Sequence, residues 1–186
     1  FLAGPVSQVF YREATERHNN GENIGEFSYH ILKMNIKIAL VPIIVLIIWG
    51  EPLFTFVLGS KWAEAGIFAS FLGIYQLMSF CNSSLNGKFV IIGKKRTILL
   101  LNAAAVVIYG GAFLVGHALS FQSFTVIKIF AFVGAIFELS DMTLFMVQTK
   151  VKLGGYIKFV LIYLIIPVAL ASCVRCGLFD LIWERL

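Results

Sequence analysis

The chain has 186 residues, of which 59% are hydrophobic and only 13% charged, and its mean hydropathy is +0.89. A water-soluble domain carries about twice that charged fraction, and one core of this size cannot hide several apolar runs of ~20 residues, each long enough to cross ~30 Å of hydrocarbon as a helix. Runs such as IALVPIIVLIIW and FVLIYLIIPVALA do not alternate, which excludes barrel strands; the net charge of +5 sits in short loops rather than on one face, which excludes a nucleic-acid partner.

Phe1 to Pro5 read as the tail of an apolar helix, and with no initiating Met the chain is expected to be a piece of something longer. Residues 11–30 form a polar connector. Glu13 with Arg17 and Arg12 with Glu16 sit at i,i+4, which predicts a turn or two of helix beyond the lipid, ended by Asn19, Asn20 and Gly21. The expected complete spans are then 31–50, 63–92, 98–116, 124–148 and 156–174. Pro42 predicts a kink in the first of these. Residues 51–66 read as a loop with an apolar half-turn, in which Trp62 suits a membrane interface. NSSLNG at 82–87 predicts a break within the second span. The tail CVRCGLFDLIWERL reads as mixed, of the kind that lies in an interface.

Loop charges set the orientation. Arg12, Arg17, Lys33 and Lys37 flank the first connector; the next loop has only Lys61, beside Glu51 and Glu64. Then come Lys88, Lys94, Lys95 and Arg96, a loop with none, and Lys150, Lys152 and Lys158. Basic-rich and basic-poor loops alternate, so the rich ones are expected in the cytoplasm. Arg175 and Arg185 fall outside if the last helix crosses.

Polar residues within the spans are few. Glu138 and Asp141 lie at i,i+3 on one helix face. Two carboxylates desolvated that close do not both ionise readily, which suits proton or sodium coupling; a hydrogen-bonded pair facing the bundle is the plainer reading. Lys37 and Lys128 either snorkel to an interface or line a cavity. Lys88 reads as interfacial. Asn82, Ser83, Ser84 and Asn86 make a polar break at depth, suited equally to a gating bend and to helix–helix contact. Gly66, Ser70 and Gly73, and Ala112 with Gly116, are small-residue packing faces. Cys173 and Cys176 lack a second pair, and His18, His30 and His117 are scattered, so neither metal nor cofactor is expected. The loops are too short for a catalytic cluster, so the chain is not expected to be an enzyme.

Three stretches carry a resemblance. SQVFYREATERHNNGE is similar to the cytoplasmic connector in the second half of polysaccharide (O-antigen) exporters of the multidrug/oligosaccharidyl-lipid/polysaccharide superfamily. FTFVLGSKWAEAG and SSLNGKFVIIGKKR resemble the family's next loop and turn, in the same order. Ser60-Lys61 stands where the family commonly has an acidic pair, and the helix after TKVKLGG has no clear counterpart in a twelve-helix count. The resemblance covers residues 5 to about 100. It implies an all-α, polytopic, MOP/MATE-like helical bundle: the C-terminal half, with about five complete spanning helices plus the end of another. It further implies a flippase carrying an undecaprenyl-pyrophosphate-linked oligosaccharide across the bacterial inner membrane by alternating access. Its partners would be that substrate, membrane lipids, the N-terminal half of the same chain, and a polysaccharide polymerase and glycosyltransferases. A cation-coupled drug antiporter of the same fold and a non-transporting subunit of a glycan-assembly complex are the alternatives.

Overall fold

The structure is a computed structural model that describes residues 3–183. Its elements are α1 (Ala3–Asn19), α2 (Ile24–Leu58), a 3-10 turn (Ser60–Trp62), α3 (Ala63–Ser84), α4 (Lys88–Ile91), α5 (Lys95–Ala118), α6 (Ser123–Gln148), α7 (Leu153–Val160), a π turn (Leu161–Ile165) and α8 (Ile166–Trp183). Among the described residues the fold is all-helical, and five stretches are long and apolar enough to span a membrane: Ile24–Leu58, Ser60–Ile91, Lys95–Ala118, Ser123–Gln148 and Leu153–Arg175.

The first connector is short because Asn19 to Gly21 end α1 with Gly21 at φ 78°, and Asn23 at once caps α2, its side-chain oxygen accepting from the Gly25 N–H at 2.8 Å. The same Asn23 side chain donates to the Thr149 carbonyl at 2.9 Å, tying the start of α2 to the end of α6. Tyr29 donates to the Gly155 carbonyl at 3.1 Å and so holds the start of α7 as well. Residues 18–24, 92–94 and 148–150 border one recess. The three basic turns therefore lie together at one end of the bundle, as the alternation of loop charge requires.

Two expectations about α2 are corrected. It does not stop near residue 50: it runs 35 residues, to Leu58, about 52 Å at ~1.5 Å per residue. Nor does Pro42 mark its bend. The non-helical residue is Trp49 (φ −114°, ψ 18°), three before Pro52. Pro52 has no N–H for the Ile48 carbonyl and its ring crowds that carbonyl, so the helix opens there and continues. The expected loop 51–66 shrinks to Gly59, at φ 95°, and one 3-10 turn.

Next to this bend α2 and α3 touch backbone to backbone. A Cβ on Gly50 would stand 2.6 Å from the Gly66 carbonyl oxygen, and one on Gly66 would stand 2.8 Å from the Glu51 Cα. The buried Ser70 hydroxyl lies 2.9 Å from the Leu46 carbonyl and 2.8 Å from that of Gly66. The Gly66–Ser70–Gly73 stripe read from the sequence is thus a close helix contact.

The last span is longer than 156–174. It starts at Leu153 and is helical through Trp183, with one widened turn at Leu161–Ile165. Pro167 explains that turn: its ring would strike the Tyr163 carbonyl of a regular α-helix, and the π turn moves the carbonyl aside. The helix therefore runs on into the tail, beyond the span, which ends at Arg175; Arg185 lies outside the described residues.

The core lies toward the basic end, where Phe10, Leu32, Leu77, Cys81, Phe145, Met146 and Tyr156 are buried together. Elsewhere the surface is apolar: Phe56 is 89% exposed and Val106 74%, with Leu99, Val107, Leu114 and Phe132 also exposed. Such a belt suits hydrocarbon and not water.

Candidate functional site: a charged cluster at a helix break

The site begins with the break between α3 and α4. α3 ends at Ser84, Leu85 donates its N–H to the Asn82 carbonyl at 3.0 Å, and Gly87 turns the chain at φ 81° before α4 starts on Lys88. Only glycine fits at 87. The conformation is left-handed, and a Cβ there would lie 2.5 Å from the Tyr11 ring of α1. The break leaves Asn82 and Lys88 on the side facing α6, which carries Glu138 and Asp141 one turn apart.

These four side chains form one cluster. The Asn82 amide donates to Glu138 Oε2 and to Asp141 Oδ2, at 2.5 Å each. Lys88 Nζ donates to Asp141 Oδ2 at 2.8 Å and also to the Asn82 side-chain oxygen. Tyr109, from α5, stands at 3.5 Å from Glu138 Oε1. Lys88 is 5% exposed and Asp141 8%, and the second Asp141 oxygen is buried with no hydrogen-bond partner. Buried charges cost several kcal/mol each unless paired and hydrogen-bonded. Here one ammonium meets two carboxylates, so with both ionised the cluster holds one net negative charge and has room for one more cation or proton.

The cluster opens on a cavity of about 440 Å³ lined by Asn82, Asn86, Lys88, Asn102, Glu138 and Asp141 on its polar side, and by Leu85, Phe89, Ile98 and Leu101 on its apolar side. This is the size of a small-ligand pocket.

Of the residues read from the sequence, Glu138, Asp141 and Asn82 come together and Asn86 lines the same cavity. Lys37 and Lys128 do not line it. Lys37 is exposed on α2 with its ammonium 5.5 Å from the centre of the Tyr163 ring. Lys128 is exposed, 4.2 Å from the Phe124 ring and 4.8 Å from that of Phe71, on which the Arg175 guanidinium also stacks at 4.7 Å. Both lysines rest on aromatic faces. Lys88 corrects its interfacial reading: it is the buried cation of the site. A signal existed, because a lysine inside an apolar span with carboxylates in another span finds them more often than it stays alone.

No protein-family model matches the chain, and neither does a curated protein or a solved structure. Among the described residues, fold and site together define an all-α arrangement with five stretches able to span a membrane and a buried charge cluster between them.

Proposed function

We propose that the chain is a membrane transporter half, moving a lipid-linked oligosaccharide with a pyrophosphate head across the bacterial inner membrane for cell-surface polysaccharide or O-antigen synthesis. The observation that supports this best is the cluster of Lys88, Asn82, Glu138 and Asp141 at a helix break, facing a cavity. A diphosphate and a glycan cannot enter hydrocarbon without a protein path that offers cations and donors. Lys88 is such a cation, held in reserve by Asp141. A proton or sodium ion taken up by the carboxylates weakens their hold on Lys88 and frees it for phosphate; its loss returns Lys88 to Asp141. The coupling thus exchanges one positive charge for another within a single cluster. A companion set of helices completes the path on the other side of the cavity, as in other transporters built from two repeats. The protein acts without a catalytic centre, by alternating access.

Deleting the encoding gene tests the reading. Lipid-linked glycan is expected to accumulate on the inner leaflet; glycan reaching the cell surface at the wild-type level overturns it. The same cluster also fits a cation-coupled antiporter for small molecules. Neighbouring genes separate the two: glycosyltransferases and a polymerase accompany a flippase, a lone regulator an exporter.

A further inference from the structure

Away from the cavity, at the end where the basic turns gather, the recess bordered by residues 18–24, 92–94 and 148–150 has a volume of about 350 Å³. Two lysines line it from turns far apart in the sequence, Lys94 before α5 and Lys150 after α6, and His18 adds a third nitrogen group. Among the described residues neither lysine forms an ion pair. The recess has one acid, Glu22, and it is engaged by Arg17, whose guanidinium is 3.4 Å away. The start of α2, at Asn23 and Ile24, closes another side. Lys150 occupies a left-handed conformation, φ 56°, that follows the end of α6 and ordinarily belongs to glycine. Its backbone is held there by a 3.1 Å bond from its N–H to the Val147 carbonyl.

We infer that this recess binds a phosphate-bearing anion at the membrane surface, of the kind that an anionic lipid headgroup presents. Each of its walls belongs to a different helix junction: α1–α2, α4–α5 and α6–α7. One phosphate seated between Lys94 and Lys150 therefore ties three connections, two of which the Asn23–Thr149 and Tyr29–Gly155 bonds already join. Three such junctions converging on one recess lined by two lysines make a basic pocket between helices able to span a membrane rather than a scattered topology signal.

The test is thermal unfolding of the purified full chain in nanodiscs of phosphatidylcholine, with and without phosphatidylglycerol, and in phosphatidylcholine with millimolar inorganic phosphate. Phosphatidylglycerol is expected to raise the unfolding temperature by roughly 2–4 °C. Lys94→Gln with Lys150→Gln should lose that rise, Lys94→Arg with Lys150→Arg should keep it, and Lys61→Gln, at the opposite end, should leave it intact. A rise given equally by inorganic phosphate and lost in the same Gln pair assigns the recess to soluble phosphate, which upholds the anion site. An equal rise in wild type and Gln pair, or one lost equally in Lys61→Gln, overturns it. Should the Gln pair not fold, native mass spectrometry of the wild type decides: phosphatidylglycerol or phosphate retained through delipidation upholds the site, and neither retained overturns it.

Discussion

Lys88 Nζ lies 2.8 Å from Asp141 Oδ2, and this ion pair joins the first residue of α4 to the middle of α6, 53 positions further along the chain. Both partners are buried, and they form an ion pair with each other. Lys88→Met leaves Asp141 with an uncompensated charge, and the expected loss is about 3–5 kcal/mol. Removing both, as Lys88→Met with Asp141→Leu, costs clearly less than Lys88→Met alone. Denaturant unfolding in a fixed detergent measures both, and a double variant that loses the sum of the two single effects would refute the coupling.

Asn82 is the group that lets two carboxylates share one side of the cluster. Asn82→Ala withdraws a donor from each and should cost about 1–3 kcal/mol. Asn82→Asp keeps the size and adds a third acid, so it should cost more than the alanine. Equal unfolding free energies for the two would mean that charge is not the controlling quantity.

The proposed transport should respond to the carboxylates. With Glu138→Gln and Asp141→Asn together, surface glycan is expected to drop at least about tenfold while protein in the membrane stays at its wild-type level, the scale of losing a cation site worth ~1.4 kcal/mol or more. Immunoblots of membrane fractions beside glycan staining check this. Full glycan display in that strain would remove the two residues from the coupling role.

The Gly50–Gly66 contact predicts a graded series. Gly66→Ala and Gly50→Ala each force the α2 and α3 backbones apart and should cost about 1–3 kcal/mol or more. Gly73→Ala should be close to neutral, because a Cβ there meets Leu46 at an ordinary 3.5 Å. Thermal unfolding of the three variants under one condition is sufficient, and a Gly73 variant as weak as the others would contradict the assigned contact.

Orientation is open to labelling. In a cysteine-free background, a cysteine at Arg96 should react with an impermeant maleimide only after the cells are opened, and one at Lys61 should react in intact cells. The reverse pattern would invert the whole arrangement.

Helix boundaries were legible where the chain carries its own stop signals. Asn19 to Gly21 end α1 and the polar run at 82–87 breaks the second span, both as read, while α5 starts at Lys95, ahead of the expected residue 98. The reading failed where a residue's meaning depends on distant groups. Residues 51–66 read as a loop, yet α2 bends at Trp49 and runs on through Pro52 to Leu58. Pro42 predicts a kink, yet its stretch of α2 stays regular. The carboxylate pair was visible from its spacing, which is local. Nothing local to Lys88 points to Asp141, 53 positions further on, because periodicity carries no information about which spans are neighbours.

The crowding of Gly50 against Gly66 has a mechanical consequence. Two helices whose main chains touch cannot slide or roll separately without breaking the bond from the Ser70 hydroxyl of α3 to the Leu46 carbonyl of α2. α2 and α3 therefore behave as one stiff lever. Any swing that opens or shuts the space beside α6 must carry both, and its fulcrum belongs elsewhere, at the looser partners.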